Sequence, residues 1–408
     1  KRIRNSTMIA PPPSRRRFIR PPKSAQILWF PHGEEPMDIH KRIAALAGAA
    51  AMSIAFFAMP QAANARQRVE VAFVLDTTGS MAGLIEGAKR KIWSIATAIV
   101  DANPDAEIRM GLIAYRDIGD EYVTQAYPLT TDIQDLYAKL LQLRAKGGGD
   151  WPESVNEALD KAVTGFAWTQ DPQTDRIIFL VGDAPPHMDY AQDRKYPEVV
   201  ADARSRGIIV NAVQAGDARD TARVWRTIAQ QGGGRYIPIP QDGGKVVIIE
   251  TPFDDEIIVL QEKINKTVIP YGDESRRAIV RQKAEQARAA PKSTASDMAG
   301  YLNRTLKPGE AVTGDGDLVA DVAQGRRRLD AIPDKELPDA MRGLTVDQRN
   351  QQIEAMNATR QKLSREMAEL IARRDAFVRE KRSVASPAAP KDSFDQAVAD
   401  TLRAQVRR

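Results

Sequence analysis

The sequence predicts an α/β fold, a doubly wound and mostly parallel Rossmann-like sheet followed by a helical C-terminal region. Three observations carry this. Val71–Leu75, Ile108–Tyr115, Arg176–Gly182 and Gly207–Val213 are short, largely apolar runs of the kind buried on both faces of a parallel sheet. Stretches with apolar residues at helical spacing separate them, so that strands alternate with helices. Two of the runs end in an aspartate followed by a turn, Asp76 and Asp183, at the carboxyl end of a strand where open α/β sheets bind their ligands.

Taken in order, residues 1–36 mix Pro-Pro-Pro and Arg-Arg-Arg with scattered aromatics and no period, and read as an extension foreign to the natural protein. Met37 opens a leader. His40, Lys41 and Arg42 form a positive start, Ile43 to Met59 an Ala-rich apolar stretch, and Ala63-Asn64-Ala65 offers small residues for cleavage. This is the layout of a secretory signal peptide over 37–65. The expectation is a periplasmic or secreted bacterial protein that starts near Arg66 and has no membrane segment after cleavage. The alternative is a retained anchor, since the stretch is near the lower length limit for a span.

The first strand leads into a helix carrying Leu84, Ile85, Ala88, Ile92, Ile95, Ala96 and Ile99. After the second strand, Tyr122 to Leu129 reads as an antiparallel edge strand, and Thr131 or Asp132 caps a helix with Leu136, Leu140, Leu141 and Leu143. Gly147 to Glu153 is a loop before a helix from Val155 to Phe166. Further helices are expected around Tyr196 to Arg204, Thr221 to Gln230 and Pro252 to Asn265, with a short strand at Tyr236. Residues 270–345 read as a mixed connector carrying Pro291, Pro308, Pro333 and Pro338, in which Asp315-Gly-Asp317 is a solvated turn rather than a calcium loop. Thr345-Val-Asp-Gln348 is a capping box that opens a long helix over 346–382. Met356, Leu363, Leu370 and Phe377 recur there every seven residues, but the alternate positions hold Ile353 and Met367 together with Arg360, Arg374 and Lys381. A weak coiled coil that makes homo-oligomers and a helix packed on its own domain both fit this pattern. A Pro/Ala linker, Ser383 to Lys391, precedes a terminal helix over 392–406, capped by Ser393.

Composition removes several function classes. The chain has no cysteine, which excludes disulfides and thiol nucleophiles, and its three histidines include only His187 beyond residue 65. Most zinc-hydrolase and Ser-His-Asp schemes therefore lack their residues. Ten of the 59 Lys and Arg, but only three of the 54 Asp and Glu, lie in residues 1–65. The remainder is close to neutral, and no nucleic-acid partner is implied.

The chemistry concentrates after the first strand. Asp76, Thr78 and Ser80 place a carboxylate and two hydroxyls on alternate positions of a glycine-containing turn, a donor set suited to a hard divalent cation. The pattern resembles the metal-ion-dependent adhesion site of von Willebrand factor type A (vWA) domains, Asp-x-Ser-x-Ser, with threonine at the first hydroxyl; the resemblance covers roughly residues 68–268. It implies that Asp76, Thr78, Ser80 and Asp183 hold Mg²⁺ (or Mn²⁺ or Ca²⁺), and that an acidic residue of a partner protein completes the coordination. The middle loop departs from adhesive relatives, which place a threonine there. Gly147-Gly-Gly-Asp-Trp-Pro-Glu153 resembles a subset of vWA proteins, many of them bacterial, and Asp150 is carried over as its metal-site contributor, through water, or equally as a helix N-cap. Glu153 reads as a partner of the helix macrodipole, His187 as a solvated loop histidine, and Asp117 and Asp120 as turn formers.

The expected function is an exported, metal-ion-dependent, adhesion-type protein-binding module that is not an enzyme. The alternatives are a Mg²⁺ phosphohydrolase, which lacks its second carboxylate at Thr78, and a vWA subunit of an ATPase or chelatase-type complex. The helix carrying Phe253, Ile257, Ile258, Leu260 and Ile264 leads into the C-terminal region, which is expected to read or restrain the state of the site.

Overall fold

The computed structural model describes residues 67–102, 104, 106–244, 249–384 and 394–406. The extension 1–36, the leader 37–65, the linker from residue 385 to 391 and the Ser393 cap lie outside them.

Six strands form one sheet in the order β3-β2-β1-β4-β5-β6. They are β1 (Arg68–Asp76), β2 (Glu107–Tyr115), β3 (Thr124–Thr130), β4 (Thr174–Gly182), β5 (Ile208–Ala215) and β6 (Gly233–Ile239). All pairings are parallel except that of β2 with the edge strand β3. The central strands run apolar from Val71 to Leu75 and from Ile177 to Val181 because both faces are covered, and every residue of β4 is buried. Alternation then sorts the side chains. Val71, Phe73, Leu75, Ile177, Phe179 and Val181 point to one core, and Ala72, Val74, Ile178 and Leu180 to the other.

The second core is closed by α3 (Val155–Gly165), α4 (Tyr196–Ser205) and α5 (Arg219–Gln231). The first holds α1 (Ala82–Ala102) and α2 (Ile133–Gln142), the latter capped by Asp132, whose carboxylate accepts from the Asp135 amide. Two elements from far along the chain complete this face. One is α8 (Lys292–Thr305), whose Tyr301 packs on Trp93 of α1 at 5.4 Å between ring centroids, with Tyr137 on another side at 5.2 Å. The other is α11 (Phe394–Gln405), which lays Phe394, Val398 and Leu402 into the core. The Phe394 ring meets Phe73 of β1 edge-on at 6.4 Å, and Phe73 stacks on Phe179 of β4 at 5.5 Å. A helix more than a hundred residues beyond the last strand thus sits directly on the sheet.

The region 270–345 is more structured than a connector. It contains α7 (Glu274–Ala289), α8, α9 (Leu318–Ala323) and three short 3-10 turns. Asp317 is not solvated: it is buried, caps α9, and accepts from the Ile269 amide at 3.1 Å.

The long helix α10 (Val346–Val384) begins at the expected capping box, with Thr345 N–H to Gln348 Oε1 at 2.9 Å and Gln348 N–H to Thr345 Oγ1 at 3.3 Å. It packs against α6 (Asp254–Asn265), α8 and α9 of its own unit. The buried seam is the mixed one: Ile353, Arg360, Met367 and Arg374 face inward, while Met356, Leu363 and Phe377 are half-exposed. Arg360 has no exposed surface. Its guanidinium donates to Asp317 Oδ2 at 2.6 Å, to Thr267 Oγ1 and the Gly309 carbonyl at 2.7 Å each, and to the Thr267 carbonyl at 2.6 Å. Arg374 spans Asp254, at the first turn of α6, and Asp297 of α8, at 2.8 Å each. The arginines that interrupt the apolar repeat are therefore the anchors of the helix on its domain, and no coiled-coil seam is left over.

Candidate metal centre

The site forms where β1 and β4 end side by side. Asp76 is the last residue of β1 and is fully buried. Its Oδ1 accepts from the Thr78 amide at 2.8 Å and from Thr78 Oγ1 at 2.7 Å, and that hydroxyl lies 3.3 Å from Ser80 Oγ. Gly182 ends β4 opposite, where a Cβ would collide with Tyr115 Oη and come within 3.1 Å of Asp76 Oδ2, so a side chain here would displace the Tyr115 hydroxyl beside the site. Asp183 follows, 4% exposed, with Oδ2 accepting from Gln241 Nε2 at 2.7 Å; the same amide reaches the Ser80 carbonyl at 3.4 Å. Gln241 thus ties the first and third loops together.

The middle loop is pinned through its backbone. The Gly79 amide donates to the Gly147 carbonyl at 3.1 Å and the Lys146 amide to the Thr77 carbonyl at 3.1 Å. Gly147 and Gly148 adopt φ of 82° and 84°, which the Gly-Gly-Gly run makes cheap. The Gly148 amide then donates to Asp120 Oδ2 at 3.0 Å, which makes Asp120 a partner of this loop as well as a turn former.

The strand ends bring Asp76, Thr78, Ser80 and Asp183 together, and Asp150 faces elsewhere. Its carboxylate is largely exposed and turns to His187 Nε2 at 3.6 Å. Nor does it cap α3, whose N-cap is Ser154. The acidic side chain that the middle loop sends into the site is Glu153. A Cβ on Gly148 would lie 3.2 Å from Glu153 Oε1 and 3.2 Å from Thr78 Cβ, which puts Glu153 beside the first loop. Glu153 is 4% exposed, and it precedes the helix rather than lying in its first turn. Its backbone is fixed by a short bridge to the third loop, amide to Pro185 carbonyl at 3.0 Å and carbonyl to His187 amide at 3.1 Å. His187 is also buried, not solvated. From sequence Glu153 reads as a macrodipole partner, because its place so close to the start of the helix suits that role; its burial against the first loop is set by contacts between loops. The Pro152-Glu153 pair, which rigidly precedes the helix, was the available signal.

The centre is electrostatically incomplete in protein atoms alone. Asp76 Oδ2 and Glu153 Oε2 are buried without a hydrogen-bond partner, a costly state for a carboxylate. Burial, together with Asp183 and Asp120, pushes the Asp76 carboxyl up to about 7 despite the two Thr78 hydrogen bonds that lower it. Burial and the charges of Asp76, Asp117, Asp120 and Asp183 push Glu153 up to about 9. Orphaned carboxylate oxygens with neighbouring hydroxyls and no nitrogen or sulfur donor fit a hard divalent cation.

A pH dependence follows. Each raised carboxyl holds a proton in the fold that the unfolded chain releases, so its contribution is complete at low pH and is lost as pH rises to the folded value. The window runs from 3.8 to about 7 for Asp76 and from 4.5 to about 9 for Glu153. Within it, stability falls by about 1.4 kcal/mol per pH unit for each retained proton. In chelator, the melting temperature is expected to drop between pH 5 and 7, and Asp76→Asn to flatten that drop. A melting temperature that rises over this interval would refute the assignment.

Residues 70–250 match the von Willebrand factor A domain. A protein of Acanthamoeba polyphaga mimivirus named for an ariadne-like RING finger is 31% identical over 119 residues, 29% of this chain and 11% of that protein. The alpha-protein kinase vwkA of Dictyostelium discoideum is 27% identical over 128 residues, 31% of this chain and 20% of its own length. The chain thus spans a fifth or less of these relatives. Among solved structures, conserved hypothetical protein BatB from Bacteroides thetaiotaomicron aligns over 54% of this chain and 98% of its own, at 17% identity and a TM-score of 0.32. The SpRpn10 VWA domain aligns over 43% of this chain and 89% of its own, at 12% identity and a TM-score of 0.34. Among the described residues no helix is long and apolar enough to cross a membrane. With its six-stranded, mostly parallel sheet and the matched span, the segment 70–250 has a von Willebrand factor A-like fold.

Proposed function

We propose that the chain is a non-enzymatic protein-binding module whose binding end is the centre formed by Asp76, Thr78, Ser80, Glu153 and Asp183, working with Mg²⁺, Mn²⁺ or Ca²⁺. The observation that carries this reading is the pair of buried, unpartnered carboxylate oxygens, Asp76 Oδ2 and Glu153 Oε2, contributed by different loops to one oxygen-lined site. A bound divalent cation supplies a coordination position that an incoming carboxylate of the partner can fill. The protein holds Asp183 in place through Gln241 and orients the Thr78 hydroxyl on Asp76. Asp150 stays out of this centre in the proposal, and Glu153 takes its place.

The rim suits a protein partner. Ile118 on the β2–β3 turn, Trp151 on the middle loop and Met188 on the third loop are 49%, 46% and 49% exposed, and rank among the large apolar side chains most open to solvent. Exposed aromatic and methionine side chains around a polar centre are the residues that anchor interfaces. The leader expected over 37–65 would place this surface outside the cytoplasm, as an adhesion-type module.

The test is a Mg²⁺ titration by calorimetry beside capture of partners from cell extract, with Mg²⁺, with EDTA, and with Asp183→Ala. The wild type is expected to bind Mg²⁺ and to retain its partner only with the cation; Asp183→Ala should lose both. Identical captures in the three conditions would sink the reading.

A further inference from the structure

On the other side of the Glu153–Ser154 backbone lies a second cluster that the first centre does not use. Glu153 sends its side chain toward Asp76, while Ser154 Oγ donates to Asp117 Oδ1 at 2.7 Å. Asp117 Oδ2 accepts from Tyr190 O–H at 2.7 Å. Across from it stands His187, whose ring is stacked on Tyr190 at 3.9 Å and whose backbone carbonyl accepts from Asn156 Nδ2 at 2.6 Å. His187 Nε2 is buried, has no hydrogen-bond partner, and points at Asp117 Oδ2 at 3.5 Å and Asp150 Oδ2 at 3.6 Å. One ligand atom each from Asp117, Asp150 and His187 falls within 4.8 Å of the others.

The other ring nitrogen decides what Nε2 can be. Nδ1 lies 2.9 Å from Asp189 Oδ1. An ionised carboxylate can only accept, so in this contact Nδ1 carries the hydrogen. With Nδ1 the donor to Asp189, the two carboxylate oxygens that Nε2 faces call for a positive charge, a proton or a cation, between them and the ring. A proton alone would draw one carboxylate in to about 2.7–2.9 Å, the usual length of such a charge-assisted bond. The observed separations of 3.5 and 3.6 Å are instead close to the edge of a tetrahedron of ligands about 2.1 Å from its centre, which is about 3.4 Å. A carboxylate on the far ring nitrogen is the arrangement that fixes the tautomer of metal-binding histidines.

We propose that His187 Nε2, Asp117 and Asp150 form a second metal centre, chemically distinct from the first, that takes an imidazole-accepting divalent transition ion of the Zn²⁺ class. Asp189 positions His187, and Tyr190 and Ser154 position Asp117. Asp117 and His187 are buried whereas the Asp150 side chain is 63% exposed, so the centre opens to solvent on one side. Three protein ligands with a solvent-facing fourth position describe an exchangeable site rather than a closed structural one. Sequence spacing concealed it, because its ligands come from three separate loops and only one is a histidine.

The experiment titrates the metal-stripped full-length chain with Co²⁺ under excess Mg²⁺, reads the visible absorption of the low-coordinate ion, and displaces it with Zn²⁺. One Co²⁺ with visible bands is expected, and Zn²⁺ should remove them. His187→Gln and Asp150→Asn should each weaken binding beyond the roughly 10–100-fold that losing an outer partner costs, and Asp189→Asn by about that amount. Comparison with His187→Gln separates this centre from His32 and His40. Asp150→Asn changes an exposed side chain, so its loss cannot be ascribed to unfolding. Asp183→Ala should leave the signal intact even where it abolishes Mg²⁺ binding. Absence of a Co²⁺ signal in the wild type, equal affinity in the His187 and Asp150 variants, or loss of the signal in Asp183→Ala would each overturn the proposal.

Discussion

Replacing Arg360 by methionine is expected to destabilise the protein by about 3–5 kcal/mol, the cost of leaving a buried charge without its partner. Arg360 and Asp317 are both out of solvent, and the guanidinium makes four hydrogen bonds that join α10 to the Thr267 turn, Gly309 and the start of α9. Burial raises the Asp317 carboxyl from its ordinary value even against the arginine beside it, so the pair gains little net energy over an apolar contact. The loss on mutation comes mainly from the orphaned carboxylate and carbonyls. A second variant separates these terms. Adding Asp317→Asn to Arg360→Met removes the stranded charge while keeping an acceptor for the Ile269 and Val319 amides. The double variant should be more stable than Arg360→Met by more than about 1 kcal/mol in urea unfolding. If Arg360→Met unfolds like the wild type, α10 is not anchored as described.

The same arginine shows where sequence reading stops. A heptad pattern counts apolar positions, and by that count Met356, Leu363, Leu370 and Phe377 were the seam, with Arg360 and Arg374 as its defects. Whether an arginine is a defect or an anchor depends on whether a carboxylate waits for it, and Asp317 and Asp254 are 43 and 120 residues away along the chain. By contrast, the sheet was legible. A strand buried on both faces needs apolar residues at every position, and β1 and β4 consequently declare themselves, along with the aspartates that end them. Asp76, Thr78 and Ser80 lie within one turn, so their convergence is local. Glu153 and His187 were not legible, because their burial is set by contacts between loops: Glu153 by its bridge to Pro185, His187 by Tyr190 and Asp189. Asp150 was legible as a candidate ligand, while the centre it faces depends on the direction in which the loop turns.

Truncating Phe394 to alanine is the second large expected effect, about 3–5 kcal/mol, as for other buried aromatics. The ring is 7% exposed and sits against Phe73 in the middle of the sheet, so its removal leaves a cavity between α11 and β1 that rigid strands cannot close. Ending the chain at residue 384 should do more, uncovering apolar surface around Phe73. Dye binding to exposed apolar surface should rise and the urea midpoint should fall. An unchanged midpoint in the shortened chain would show that α11 is dispensable. The same geometry bears on the idea that the C-terminal region restrains the binding site. A comparison of residues 66–268 with 66–408 confounds that restraint with loss of the sheet's cover, whereas point changes at Arg374, which holds the first turn of α6, leave the cover in place.

The docking of α11 on β1 also fixes the order in which the molecule can be assembled. Residues 68–76 are among the first of the described chain to leave the ribosome, and the helix that shields them is among the last. At roughly 5–20 residues per second, the intervening stretch of about three hundred residues occupies about 15–60 s. Throughout that time Phe73 and Phe179 lack one of their covers, and a contact of such long range cannot form early in any case. The nascent domain is therefore a natural client for a holding chaperone, and its final cooperative step waits for residues 394–406.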